Sequence, residues 1–124
     1  MKDTLIIGAS EKTERYSNRA VKMLRSHNIP VTAIGIREGQ IDDVKIIITK
    51  PDLKDIHSVS LYINPQLQKK YYDYILSLKP KRVIFNPGTE NPELLEKVKN
   101  EGINPCQRNP IEACTLVMLS TGSY

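Results

Sequence analysis

The stretch 5-LIIGASEKTERYSNRAVKMLRSHNIPVTAIGIRE-38 constrains the fold more than any other part of the chain. An apolar run without alternation stops at Gly8, a polar loop follows, then an amphipathic segment, then a second apolar run. A strand covered on both faces reads as a continuous apolar run, whereas a helix packed on a sheet repeats its apolar residues every three or four positions. Thr4–Gly8 therefore reads as a strand. Ser17–Ser26 reads as a helix with Ala20, Val21, Met23 and Leu24 inward, ending near Asn28 and Pro30. Val31–Ile36 is the second strand of a β-α-β unit.

The same grammar continues. Asp42–Thr49 holds an apolar run, Ile46–Ile48, that reads as a short strand or extended segment closed by Pro51. Val59–Ile63 and Arg82–Phe85 read as strands. Gln66–Leu78 is a helix with Pro65 suited to its first turn, and Asn91–Asn100 is another, begun near Pro92 and stopped by Gly102. Asn104–Cys106 is a last short strand, and 111-IEACTLVMLSTG-122 a final apolar helix or partly extended cover. Strands alternating with helices predict an α/β domain with a mostly parallel sheet and right-handed crossovers. At 124 residues the whole chain, 1–124, is one domain with one core.

Open sheets of this kind place ligands outside the carboxyl ends of their strands, at the switch point. Four segments are therefore expected to converge: Gly8–Asn18, Gly35–Glu38, Tyr62–Pro65 and Asn86–Glu90. The first has the chemistry for an anion. A strand turning into a helix offers backbone N–H groups and a favourable dipole. Ser10, Thr13, Ser17 and Asn18 add hydrogen-bonding side chains, and Lys12, Arg15 and Arg19 add charge. Charge-assisted hydrogen bonds contribute roughly 1.5–3 kcal/mol each, so a few suffice for micromolar binding of a phosphate-rich small molecule. The alternative is a solvated connection capped by Ser17 or Asn18.

Two familiar loops are excluded. No Gly-Lys pair completes a P-loop, and Ser10 and Thr13 stand where the later glycines of G-x-G-x-x-G belong. An NAD site also wants an acid at the end of strand two. Here that strand runs out through Gly35-Ile36-Arg37-Glu38, where Arg37 suits a phosphate on the ribose and Glu38 leaves NAD open. A phosphorylated ribose with a pyrophosphate describes NADP and coenzyme A (CoA) equally.

At this point the residues carry a resemblance. Gly8-Ala9-Ser10 with Lys12, Arg15 and Ser17-Asn18-Arg19, the strand-two exit with Arg37, Tyr62-Ile63-Asn64-Pro65, and Phe85-Asn86-Pro87-Gly88 with Glu90 resemble the small stand-alone CoA-binding domain proteins. These are similar to the CoA-binding domain of the succinyl-CoA synthetase alpha subunit. The likeness runs on through Cys106 and Glu112 into the C-T-L-V-M-L-S-T-G tail. It implies a Rossmann-like three-layer domain, a sheet of about five strands, and CoA or acyl-CoA lying across the strand ends. Gly8, Ala9, Ser10 and Lys12 would receive the phosphates, with Arg15, Ser17 and Asn18 closing the loop and Arg37 near the adenosine. Tyr62, Ile63, Asn64 and Pro65 would wall the adenine or pantetheine, and Asn86, Pro87 and Gly88 the thiol-proximal side. Two departures stand out. Ile36 occupies a place where the family commonly has proline, and the synthetase loop is richer in glycine.

The remaining features narrow the function. Net charge is +4, but the Lys and Arg residues are dispersed and no aromatic RNA-binding pattern accompanies them, so no nucleic-acid partner is expected. No apolar run reaches the roughly 20 residues of a membrane span and the start lacks a signal-peptide layout, so a soluble cytoplasmic protein is expected. Cys106 and Cys114 read as structural thiols and His27 and His57 as solvent-facing, with no metal-ligand spacing. Cys106 also lies where a mixed disulfide with CoA is conceivable. Glu90, Glu93 and Glu96 read as the exposed start of a helix, and Tyr71, Tyr72 and Tyr74 as core and rim. Cys114–Leu119 is core or the seam of a homodimer. No nucleophile stands with a base, and 124 residues leave no room for the synthetase's phosphohistidine domain. The expected role is thus a non-catalytic module for CoA or acyl-CoA; the alternative is an NADP- or NAD-dependent oxidoreductase or redox sensor.

Overall fold

Each apolar run becomes a strand, and the alternation of side chains decides which layer it serves. The computed structural model describes residues 3–106. In chain order the strands are β1 (Thr4–Ile7), β2 (Val31–Ile34), β3 (Gly39–Ile41), β4 (Val44–Ile47), β5 (Ser58–Leu61), β6 (Arg82–Phe85) and β7 (Asn104–Cys106). They form one sheet in the order β3-β4-β2-β1-β5-β6-β7, parallel except for the β3-β4 pair. The helices are α1 (Tyr16–Ser26), α2 (Pro65–Gln68), α3 (Tyr72–Leu78) and α4 (Pro92–Asn100).

All four residues of β1 are buried, because the sheet is covered on both faces. Successive side chains of a strand point to opposite faces. Ile6 accordingly joins Ala20, Val21 and Leu24 of α1 with Ala33 and Ile46, while Leu5 and Ile7 join Val59, Leu61, Ile75, Phe85, Leu94 and Val98. One face thus carries α1 and the other α3 and α4, giving three layers. No helix among the described residues is long and apolar enough to cross a membrane.

Several expectations are corrected. The sheet has seven strands rather than about five. The strand with no counterpart among the segments read from the sequence is β3, whose side chains line no periodic pattern and which owes its existence to a tight turn. Asp42, at φ 51°, takes the left-handed conformation that lets β3 fold back on β4. The helix expected over 66–78 is interrupted by a 3-10 turn at Lys69–Tyr71; apolar spacing is alike on either side, so the pattern conceals the break. Neither Ser17 nor Asn18 caps α1: Arg15 is the N-cap residue, without a side-chain cap bond, and both residues are buried. His57 is buried, not solvent-facing, with Nδ1 2.6 Å from Ser58 Oγ. Cys106 is disulfide-bonded rather than a thiol. The sequence's other cysteine, Cys114, the apolar tail and the dimer seam read there lie outside the described residues.

Candidate functional site

Parallel register brings the four segments together. Ile7 of β1 pairs with Ile34 of β2 and with Leu61 of β5, and Leu61 pairs with Phe85 of β6. The chain segments after these residues, Gly8–Asn18, Gly35–Glu38, Tyr62–Pro65 and Asn86–Glu90, therefore leave the sheet side by side along one edge. From β1 the chain crosses to β2 on one side and later returns to β5 on the other, which makes this edge the switch point.

A cleft of about 250 Å3, counted out to open solvent, opens there. Ile7, Gly8, Ile34 and Gly35 line it from the strand ends, and Ile36 and Ile63 from the segments that follow. Leu67, Lys70 and Tyr71 close it from α2 and the 3-10 turn. Glycine is required at two of these positions. At Gly8, φ is +103° and a Cβ would lie 2.9 Å from Ile63 Cγ2; at Gly35 a Cβ would lie 2.6 Å from the Ala9 carbonyl oxygen. The lining is apolar apart from Lys70 and the hydroxyl of Tyr71.

The loop after β1 is built differently from a backbone-only phosphate cradle. The N–H groups of Gly8 and Ala9 both donate to Ile34 O, at 2.8 and 2.9 Å. Lys12 N donates to Ser10 Oγ at 3.2 Å. Those three amides are engaged, so an anion here relies on side chains and on amides farther along the loop. The side chains of Lys12 and Arg15 are exposed. Glu11, an acid inside a basic loop, is turned away: it accepts from Gln40 N at 3.0 Å and so ties the loop to β3. Arg37 is exposed just past β2, and neither it nor Lys12 lines the cleft.

Two buried amides flank the edge. Asn18 donates from Nδ2 to Ser10 O at 3.0 Å, and Asn86 from Nδ2 to Ser60 Oγ at 2.9 Å and Leu61 O at 2.7 Å. These bonds fix which way each amide points. They leave Asn18 Oδ1 and Asn86 Oδ1 buried without a partner among the described residues. Both are acceptors. They suit hydroxyl or amide N–H groups of a ligand and repel phosphate oxygen.

Other predicted residues serve the frame. Asn64 caps α2, accepting from Leu67 N at 3.0 Å, with Pro65 as the first helical residue. Ala9 is buried in the core layer, and Tyr62 packs against it. Pro87 and Gly88 are exposed beyond β6, and Gly88 N donates to Glu90 Oε1 at 2.9 Å. Gln68 locks two of the segments together, donating from Nε2 to Ile63 O at 2.9 Å and to Thr89 O at 2.8 Å. Asn91 Nδ2 donates to Gln68 Oε1 and to Tyr72 Oη. Burial pushes the phenols of Tyr71 and Tyr72 above their ordinary value, so both stay neutral near pH 7. Sequence reasoning placed Ile36 in a converging segment without naming it as a site residue, and missed Leu67, Lys70 and Tyr71 as cleft residues. The signal available for two of them was an apolar side chain where solvent was expected: Ile36 is 78% and Leu67 37% exposed.

Comparison with known proteins decides the family. The profile described as CoA binding domain matches residues 2–120. The chain belongs to the CoA-binding domain family. The fold of this chain recurs in solved structures. An uncharacterized protein whose crystal structure is 48% identical matches over 100% of this chain and 98% of its own, with a TM-score of 0.87. A hypothetical protein from Pyrococcus horikoshii OT3 (24% identity, TM-score 0.82, 97% of this chain and 84% of that one) shares the fold. So does a cell-free protein from Thermus thermophilus (19% identity, TM-score 0.79, 95% and 90%). No curated protein matches the chain. The CoA-binding domain thus spans nearly all of this chain, and the edge offers a ligand an apolar cleft and buried acceptors without donors among the described residues.

Proposed function

We propose that this CoA-binding domain acts as a non-catalytic module that holds CoA or an acyl-CoA as carrier, sensor or partner subunit. The observation that carries the reading is the apolar cleft at the ends of β1 and β2, framed by strand exits that Gly8 and Gly35 allow to pack closely on their neighbours. The adenine ring enters between Ile36, Ile63 and Leu67. The pyrophosphate lies along Ser10–Asn18, met by the side chains of Ser10, Lys12 and Arg15. The pantetheine arm, with two amide N–H groups and a hydroxyl, runs toward β6, where Asn86 Oδ1 awaits a donor. The buried polar groups that support this reading are amides and hydroxyls, which orient a ligand but hold no proton that moves near neutral pH.

Titration calorimetry with CoA, acetyl-CoA and NADP tests it. Micromolar CoA binding is expected, weakened about tenfold by Lys12→Ala, the loss of one charge-assisted contact. Tight NADP binding with none for CoA or acetyl-CoA would replace this reading by a dinucleotide-dependent redox role.

A further inference from the structure

Tyr71 lines the cleft, and two ammonium groups approach its ring. Lys50 Nζ lies 5.1 Å and Lys70 Nζ 5.5 Å from the ring centroid. Lys50 is tethered, its Nζ donating to Lys70 O, and Lys70 itself lines the cleft. Among the described residues neither lysine is paired with a carboxylate; the ion pair there is Arg25–Asp43, at the opposite edge of the sheet. Two cations gathered on one aromatic ring repel each other, and the ring's negative face offsets only part of that. The arrangement is complete when an anion joins it.

The position says which anion. Gly35 and Ile36 line the same cleft, and the exit from the second strand is where folds of this kind meet the nucleotide's ribose. CoA differs from most adenine nucleotides in carrying a phosphate monoester on that ribose, a dianion near neutral pH. Resting on the CoA reading above, we infer that Lys70, backed by Lys50, is a specificity residue that grips the ribose 3′-phosphate across the cleft from the Arg37 side. Lys70 then distinguishes CoA from dephospho-CoA, a choice the pyrophosphate loop after β1 cannot make, since both ligands carry the same diphosphate.

Calorimetric titration of CoA and of 3′-dephospho-CoA against wild type, Lys70→Ala, Lys70→Arg and Arg37→Ala tests this. Wild type is expected to prefer CoA by about tenfold or more, the value of one charge-assisted contact. Lys70→Ala should weaken CoA alone and so erase the preference, while Lys70→Arg keeps it. Lys70 is exposed, and an unchanged melting temperature of Lys70→Ala confirms the fold. Equal weakening of both ligands overturns the inference, as does a preference that survives Lys70→Ala but vanishes in Arg37→Ala. Wild type binding both ligands equally defeats it while leaving the CoA reading intact; binding neither defeats both.

Discussion

A Cβ on Gly35 would stand 2.6 Å from the carbonyl oxygen of Ala9, closer than any real side chain approaches backbone. Gly35 N donates to Ile47 O at 2.9 Å, so the residue is held from its other side and cannot retreat. The contact joins the segment leaving β2 to the loop leaving β1, the two pieces of chain that frame the cleft. Gly35→Ala must therefore move the loop. Overpacking of this kind costs about 1–3 kcal/mol, and CoA affinity should fall about tenfold or more. A calorimetric titration with unchanged affinity would show that the Ala9 carbonyl has no part in shaping the site.

Gly8 and Gly102 separate two costs. Both have positive φ, +103° and +75°, but a Cβ at Gly8 meets Ile63 Cγ2 and Tyr62 C at 2.9 Å, whereas at Gly102 nothing lies within 4 Å. Gly102→Ala should lose about 1–2 kcal/mol, the left-handed penalty alone. Gly8→Ala adds steric overlap to that penalty and should lose clearly more in urea unfolding. Equal losses would mean that the Tyr62–Ile63 segment gives way freely.

The contrast explains what the sequence displays and what it conceals. β1, β2, β5 and β6 are legible because burial on both faces forces unbroken apolar runs, and their shared direction makes the meeting of four loops a matter of counting. β3 is not legible, since three residues with Gln40 exposed and Ile41 buried carry no period and depend on one left-handed Asp42. The loop after β1 stood out by its residue types, but sequence says nothing about the Gly8 and Ala9 amides being already engaged by Ile34 O. Lys70 and Tyr71 were read as ordinary helix residues. Only the packing of the 3-10 turn against the ends of β1 and β2 brings them to the cleft. His57 looked solvent-facing because polarity predicts exposure on average, and the Ser58 hydroxyl beside it offsets the cost of its burial.

Asn86 holds two acceptors, Ser60 Oγ and Leu61 O, from a position only 1% exposed. Asn86→Asp replaces the donating amide by an oxygen aimed at the Leu61 carbonyl. Burial then disfavours the charged carboxyl and raises its folded-state pKa above the unfolded value. Between those two values the native state binds more protons than the unfolded one, so stability falls as pH rises. The variant should lose about 1–3 kcal/mol or more near neutrality and recover part of that loss below pH 4. Urea unfolding of both proteins at acid and neutral pH measures it; a loss independent of pH would mean that the new carboxyl reaches water.

Asp43 gives the opposite sign. Arg25 grips it with a fork, Nε to Oδ1 at 3.0 Å and Nη2 to Oδ2 at 2.6 Å, and this hydrogen bonding holds the Asp43 carboxyl below its ordinary value. A depressed folded-state pKa makes the contribution fully present above the unfolded carboxylate range and lost as pH falls through the folded value. The matching rise in the guanidinium pKa of Arg25 acts only at extreme alkaline pH and leaves the neutral range untouched. Both groups reach solvent, so the effect is small and screened by salt. Asp43→Asn should therefore narrow the stability gap to wild type as pH drops, and close it once the carboxylate is protonated. Arg25→Lys should behave differently. Arg25 Nη1 also donates to Ile29 O at 3.0 Å, tying the end of α1 to the approach of β2, and a lysine cannot make both contacts with one planar fork. Its loss should persist at acid pH, and thermal melts of the two variants across the same pH series should diverge there; coincident curves would show that the Ile29 contact adds nothing.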